Sequence, residues 1–390
     1  MTIPPEVIDL LICCAGVDPE KGPKLEALIS KGVDWNLVIE QGQRHGILPL
    51  LYWSLKTHCP DKVPDPIMKQ LGDFFQVNAR KNLLAISELL GILSLLEDKN
   101  IKAIPFKGPV LTSLLYGNPA MRCYGDLDIL ISKKDFPQAK KILVAIGYLP
   151  KIPTNSISQE AILIRSSYEY SFCRKTGERN IDVHWGFYLK WLFDPMNGDQ
   201  QWIRVEKTSL GGETISTLSN EDLLIVLSIH GAMHCWSNLK LVSDLANLIE
   251  VRKIDWLYVF QQALLKRCQR MIFTGLLLAN GILEAPVPEE MLHKAKTDGT
   301  ALLLAKKVRD RFYSNVPLGI WSTQAFLVLS NDRLADGLRP FIKLALTPSI
   351  GDWQATPLPK FLYFMYFLTR PIRLFKTYFL GLSKDNARSA

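Results

Sequence analysis

Apolar positions recur at helical spacing through the first hundred residues. Leu83-Leu84-Ala85-Ile86, Leu89-Leu90, Ile92-Leu93 and Leu95-Leu96 carry polar interruptions that place them on one side of a helix. The pattern predicts helices from residue 1 to about 98, interrupted at Pro60, Pro64 and Pro66. At Ile101 the period changes. Ile101 to Phe106 predicts a short strand entering a turn at Lys107-Gly108, and Pro109 suits the first turn of a helix, where no amide donor is needed. Val110 to Tyr116 supplies that helix's apolar face, and Asn118-Pro119 stops it.

Leu127 to Ile131 predicts a second strand, and Asp135 to Ile146 a helix with the stripe Phe136, Ala139, Ile142 and Leu143, ended by Gly147. Tyr168 to Arg174 alternates as a strand does, and Thr176-Gly177-Glu178 is a turn. Asn180 to Trp185 is the next strand, with Asp182 and His184 on the same face. After Trp202-Ile203-Arg204-Val205, a Gly211-Gly212 turn closes a hairpin to Thr214-Ile215. Ser219, followed three residues on by Asp222, has the form of a helix cap, and helical spacing returns from Leu223 to about residue 345. The order of elements predicts an α+β fold: a small mixed β-sheet core flanked by N-terminal and C-terminal helical regions. The expected divisions are 1–98, a helical region; 99–218, the sheet core; 219–345, a helical domain; and 346–390, a basic aromatic tail.

Composition agrees with a globular chain. With 390 residues, 48% hydrophobic and 22% charged, the protein has material for two or three domains. The start, Met1-Thr2-Ile3-Pro4-Pro5-Glu6, lacks the basic run of a signal peptide, and Phe361 to Thr369 is too short to span a bilayer. Seven scattered cysteines without a Cys-x-x-Cys pair fit reduced thiols and a cytoplasmic location better than a zinc ribbon. From Lys360 onward, six basic residues face one acid, Asp385, so the tail carries +5 of the net +8. With Tyr363, Tyr366 and Phe375 among Arg370, Arg373 and Lys376, it suits nucleic acid or a membrane surface. It equally suits a C-terminal helix with one face buried.

The chemistry concentrates at Gly125-Asp126-Leu127-Asp128-Ile129-Leu130. On a strand, two acids two residues apart project to one face, where they repel and resist dehydration unless cations neutralise them. A pair of divalent metals holding a triphosphate is one reason to keep such an arrangement; a solvated strand end is the other.

Taken together, Phe106-Lys107-Gly108, Tyr116, Arg122, the Gly125–Leu130 run, Gly147-Tyr148 and Asp182-Val183-His184-Trp185 resemble the polymerase-β-like nucleotidyltransferase superfamily. Within it, the chain is similar to an uncharacterised bacterial nucleotidyltransferase family, and the segment with His230, His234, Trp236 and Asp244 completes the likeness. It covers residues 101 to about 265. The resemblance implies a Mg²⁺- or Mn²⁺-dependent enzyme that uses a nucleoside triphosphate such as ATP. By it, Asp126 and Asp128 bridge two metals and Asp182 completes the second site or acts as base, with Glu178 as substitute third acid. Lys107, Gly108, Arg122 and Gly125 would bind the nucleotide. The superfamily's turn has Gly followed by Ser or Gly; here Pro109 removes one amide and the hydroxyl, and Lys107 is placed to compensate as a point charge. Arg122 offers a bidentate clamp or a local ion pair.

His184, His230 and His234 are candidates for the acceptor cleft, beside Trp236 or Asp244. The four-residue spacing of His230 and His234 puts them on one helix face, but no third ligand follows for a metal. The acceptor hydroxyl of a sugar, small molecule, peptide or protein, or RNA 3′ end is open, because members of one fold serve many acceptors. A toxin that blocks transfer RNA and a non-catalytic nucleotide-binding module are the competing readings.

Overall fold

A computed structural model describes residues 3–16, 20–152, 160, 161, 164, 167–174, 179–187, 204–314, 316, 319–338, 352, 358, 362 and 365–379. The Thr176-Gly177-Glu178 turn, Trp202-Ile203, Lys360, Tyr363, Lys384, Asp385 and Arg388, and the side chains of Phe375 and Lys376, lie outside the described residues.

The N-terminal region is helical: α1 (Pro5–Ala15), α2 (Gly22–Ser30), α3 (Trp35–Arg44), α4 (Leu48–His58) and the 33-residue α5 (Asp65–Glu97). Pro66 sits in the first turn of α5, so the proline cluster marks a helix start. The core follows with β1 (Ala103–Pro105), α6 (Gly108–Tyr116), β2 (Asp126–Ile131), α7 (Phe136–Ala145), β3 (Tyr148–Pro150), β4 (Glu169–Arg174) and β5 (Asn180–His184). These strands form one sheet in the order β1-β2-β5-β4-β3, in which only β2 and β5 run parallel. The sheet is therefore mixed, as the strand–helix–strand pattern implied.

A separate hairpin pairs β6 (Val205–Leu210) with β7 (Glu213–Leu218) across Gly211-Gly212. Both turn glycines have positive φ, +60° and +89°, which side-chain-bearing residues rarely adopt. The C-terminal helices are α8 (Asn220–Met233), α9 (Leu239–Val251), α10 (Trp256–Leu265), α11 (Gln269–Leu283), α12 (Glu289–Thr297), α13 (Gly299–Phe312), α14 (Ile320–Leu329) and α15 (Tyr366–Phe379). Ser219 caps α8 by accepting the Asp222 amide.

β2 shows why the site sits where it does. Leu127, Ile129 and Ile131 enter a core with α5 residues Ala85, Leu89, Ile92 and Leu96. Leu130, of opposite parity, enters a larger core that joins α1, α4, α8, α9 and α11. Asp126 and Asp128 share Leu130's parity and so face the C-terminal helices. Each fully buried aliphatic side chain contributes on the order of 2 kcal/mol, so both faces of β2 are firmly held.

The seven cysteines are unpaired thiols, five of them buried. Among the described residues no helix is long and apolar enough to cross a membrane. In the tail, Arg370 and Tyr366 follow the alternative of a helix with one face buried. Asp352 pairs with Arg370 and Arg373.

Candidate active site

The parallel register of β2 and β5 sets Asp128 beside Asp182 and Asp126 beside Asn180. Registered neighbours project to the same face, so three carboxylates open into one cleft of about 470 Å³. β4 adds a fourth. Its antiparallel register places Ser171 opposite Asp182 and Glu169 opposite His184, and Glu169 also lines the cleft.

Gly108 brings the neighbouring turn against β2. Its φ is +52°, and a Cβ there would lie 3.0 Å from the Asp126 carbonyl oxygen, so a side chain would force the turn off the strand. That close approach places Lys107 Nζ 3.3 Å from Asp128 Oδ1 and 3.3 Å from His230 Nδ1. His184 Nε2 lies 3.1 Å from the same carboxylate oxygen. Its ring is fixed edge-on to Phe106 at 5.1 Å and lies roughly parallel to Tyr168 at 6.4 Å. His184 Nδ1 is 3.3 Å from Glu169 Oε2, yet off the line of a hydrogen bond, so that contact is electrostatic. Asn180 Nδ2 donates to Asp126 Oδ1 at 3.0 Å.

These contacts divide the acids into two kinds. Burial pushes the Asp128 carboxyl up, but Lys107 and His184 outweigh it and hold the group well below the usual carboxylate range. Burial raises Asp182, and Asp128 and Asp126 add to the effect against the hydroxyl of Ser171 and against His184. Burial also raises Glu169, with Asp182 and Asp128 contributing. The cleft thus holds one carboxylate with strong cationic company and two that are short of it. Among the described residues no three His, Cys, Asp or Glu side chains are gathered at metal-ligand spacing; Lys107 and His184 take up Oδ1 of Asp128.

The helical flanks complete the walls. His230 and His234 of α8 line the cleft with ring centroids 4.4 Å apart. Burial lowers both imidazoles, and Lys107 lowers them further. Lys240 of α9 also lines the cleft; its Nζ donates to the Cys123 carbonyl at 3.3 Å, and burial, with Arg122 nearby, lowers it. The segment leading into β2 is tied from both sides. Asn78 donates to the carbonyls of Ala120 and Arg122, and Asn82 to those of Pro119 and Arg122. From α9, Asp244 accepts Arg122 Nε and Nη2, each at 2.8 Å.

Asp126, Asp128, Asp182, Lys107, Gly108, Gly125, Arg122, His184, His230 and His234 all line the same cleft. The Arg122 guanidinium, expected as a phosphate clamp or a local ion pair, is taken by Asp244. Trp236 and Asp244 do not line the cleft. Trp236 is fully buried against Gly231 and Gly275, and Asp244 turns to Arg122. Sequence reasoning missed Glu169, although the alternation Glu169, Tyr170, Ser171, Phe172 places it on the polar face with Ser171. Lys240 and the asparagines of α5 carry no local signal: single polar residues in helices acquire meaning only through the fold.

No curated protein and no solved structure gives a significant match. The model of a family described as uncharacterised nucleotidyltransferase matches residues 31–284, well over half of the chain and all of the cleft residues named above. The chain therefore belongs to this nucleotidyltransferase family, as its motifs led one to expect.

Proposed function

We propose that the protein transfers a nucleoside monophosphate from a nucleoside triphosphate to an acceptor hydroxyl. The observation that carries this reading is the register that pairs Asp128 with Asp182 on one face, beside Asp126, in a walled cleft. Such a concentration of carboxylates is unfavourable in a half-buried site without cations to oppose it.

The donor set suits divalent cations by its chemistry, although the described side chains are not drawn to metal-ligand spacing. The oxygens of Asp126, Asp128 and Asp182 are hard donors, Oδ2 of Asp128 accepts no hydrogen bond from any described residue, and burial leaves Asp182 short of positive charge. These three residues would hold Mg²⁺ or Mn²⁺. Bound there, the ions neutralise charge at the α-phosphate and ease ionisation of the attacking hydroxyl.

The chain's own groups account for the rest. Lys107 faces the triphosphate as a point charge, assisted by Lys240; Lys107 is held by Asp128 and Lys240 by the Cys123 carbonyl. Gly108 lets the turn close on the strand, and Gly125 leaves room for phosphate beside it. Asp182 takes the proton of the acceptor hydroxyl as that oxygen bonds to the α-phosphorus and pyrophosphate leaves. His184, locked between Phe106 and Tyr168, steadies Asp128. Arg122 acts at one remove: tied to Asp244, it fixes the segment from which β2 starts. His230 and His234 wall the cleft on the α8 side.

The test is a reaction of the purified protein with each nucleoside triphosphate, Mg²⁺ or Mn²⁺, and a desalted cell extract, followed by mass spectrometry. The expected result is a new adduct heavier by one nucleoside monophosphate. Its absence with all four triphosphates, alongside intact folding, would count against the assignment.

A further inference from the structure

A second cavity, about 850 Å³, lies beside the catalytic cleft and shares Tyr124 and Gly125 with it as a common wall. It runs between α5 and the end of the sheet where β4 finishes and β5 begins. Nothing in the proposed chemistry uses it, and it is larger than the cleft that holds the acids.

Its lining has a definite chemical character. Lys81, Arg174 and Arg179 supply three cations against the single carboxylate of Glu88. Glu88 lies 3.3 Å from Arg179 Nε and 3.7 Å from Arg174 Nε, so one acid is shared between two guanidinium groups. Arg179 lies over the Tyr124 ring and Arg174 over the Tyr148 ring, at 5.9 and 4.8 Å. These contacts hold the guanidinium planes while leaving net positive charge. Leu84, Ile92, Leu95 and Ile146 give the groove an aliphatic part, beside the polar side chains of Asn78, Asn82 and Ser87. A Cβ at Gly125 would meet no atom within 4 Å beyond its two chain neighbours, so no side chain stands at that point of the shared wall.

We infer that this groove seats the acceptor, and that the acceptor is a small phosphomonoester bearing a hydroxyl, such as a sugar phosphate. The inference rests on the nucleotidyl-transfer reading for its orientation toward Asp126. A dianionic phosphate matches paired guanidinium groups and an ammonium better than a neutral sugar does. The aliphatic floor takes the carbon skeleton, and the cavity has the size typical of small-molecule sites. From there the hydroxyl passes Gly125 to reach the carboxylates.

Titration calorimetry with ribose 5-phosphate, glucose 6-phosphate and glycerol 3-phosphate, with ribose as control, tests this on the full chain. Wild type is compared with Lys81→Glu, an exposed position, and with Arg174→Gln. A fluorescent ATP analogue with Mg²⁺ is titrated into each protein in parallel. At least one phosphomonoester should bind wild type and bind each variant about tenfold more weakly, while ATP-analogue affinity stays within about twofold. Phosphomonoesters that bind no better than ribose, or equally well to all three proteins, would overturn the inference. Equal weakening of the ATP analogue would also overturn it, by showing that the groove serves the triphosphate. Failure of the nucleotidyl-transfer reading has its own signature: no ATP-analogue binding to wild type, whatever the phosphomonoesters do.

Discussion

Arg122 and Asp244, separated by 122 residues in sequence, close a two-point ion pair with side chains only 8% and 3% exposed. It joins the segment before β2 to α9, so the C-terminal helices help to set the position of Asp126. Removing one partner leaves the other charge buried and unopposed, which costs about 3–5 kcal/mol. Arg122→Ala and Asp244→Ala should each lower the urea unfolding free energy by that amount. The double substitution Arg122→Met with Asp244→Leu should recover most of it, because neither charge then remains. A loss in the double variant equal to the sum of the two single losses would mean that the pair does not act as a unit.

Asn82 works on the same segment from the other side. Its amide nitrogen donates to the Pro119 and Arg122 carbonyls, and both bonds disappear in Asn82→Ala. The Arg122 carbonyl keeps the Asn78 donor, so the loss falls on the Pro119 carbonyl and costs about 1–3 kcal/mol. Calorimetric unfolding should register that loss, and nucleotide transfer should slow even at temperatures where the variant is folded. An unchanged melting temperature would show that water replaces the amide freely.

His45 gives the protein a defined acid sensitivity. Its ring is buried edge-on against Phe312 at 5.3 Å, Nδ1 accepts the Leu239 amide, and burial lowers its pKa from 6.5 to about 4. The unfolded chain therefore takes up this proton first as pH falls. The group's contribution is complete above pH 6.5 and is lost as pH drops toward 4. That shift corresponds to about 3 kcal/mol. Asp222 has the opposite sign: burial raises it from 3.8 to about 6, so the stability it adds in acid is lost as pH rises through that window. Comparing wild type with His45→Gln cancels Asp222. The stability difference between pH 7 and pH 4 should be about 3 kcal/mol smaller in the variant, as measured by urea titration at each pH. Parallel curves would contradict the assignment.

Gly231 reverses an ordinary rule. Replacing glycine by alanine inside a helix is usually favourable by about 1 kcal/mol. Here the added Cβ would sit 2.5 Å from the Trp236 ring, which is also pressed against Gly275. Overpacking of this kind costs about 1–3 kcal/mol, so Gly231→Ala should destabilise α8 and shift the tryptophan emission. Stabilisation by the substitution would show that Trp236 has room to move.

Much of this architecture was legible in the residues. The alternation of Asp126, Leu127, Asp128 and Ile129 predicted a strand with both acids on one face, and Ile181, Asp182 and Val183 predicted its neighbour. Period-two burial writes such faces directly into sequence. The Lys107-Gly108 turn was legible for the same reason: few residues adopt that backbone beside a strand. The company these groups keep was not legible. That Arg122 meets Asp244, that Asn78 and Asn82 hold the strand's approach, and that Glu169 joins the acids all follow from contacts between distant segments. In the tail the sequence left a binding surface and a buried helix face equally open, and the pairing of Asp352 with Arg370 and Arg373 is again a contact between separate segments.

The central claim is that the carboxylates of β2 and β5 transfer a nucleotidyl group rather than a terminal phosphate. The most direct measurement uses ATP labelled at either the α- or the γ-phosphorus, with Mg²⁺ and the extract fraction that yields the adduct, for wild type and Asp128→Asn side by side. Only the α-label should appear in the adduct, and Asp128→Asn should lower its rate at least roughly 100-fold. Transfer of the γ-label, or equal rates for the two proteins, would contradict the account.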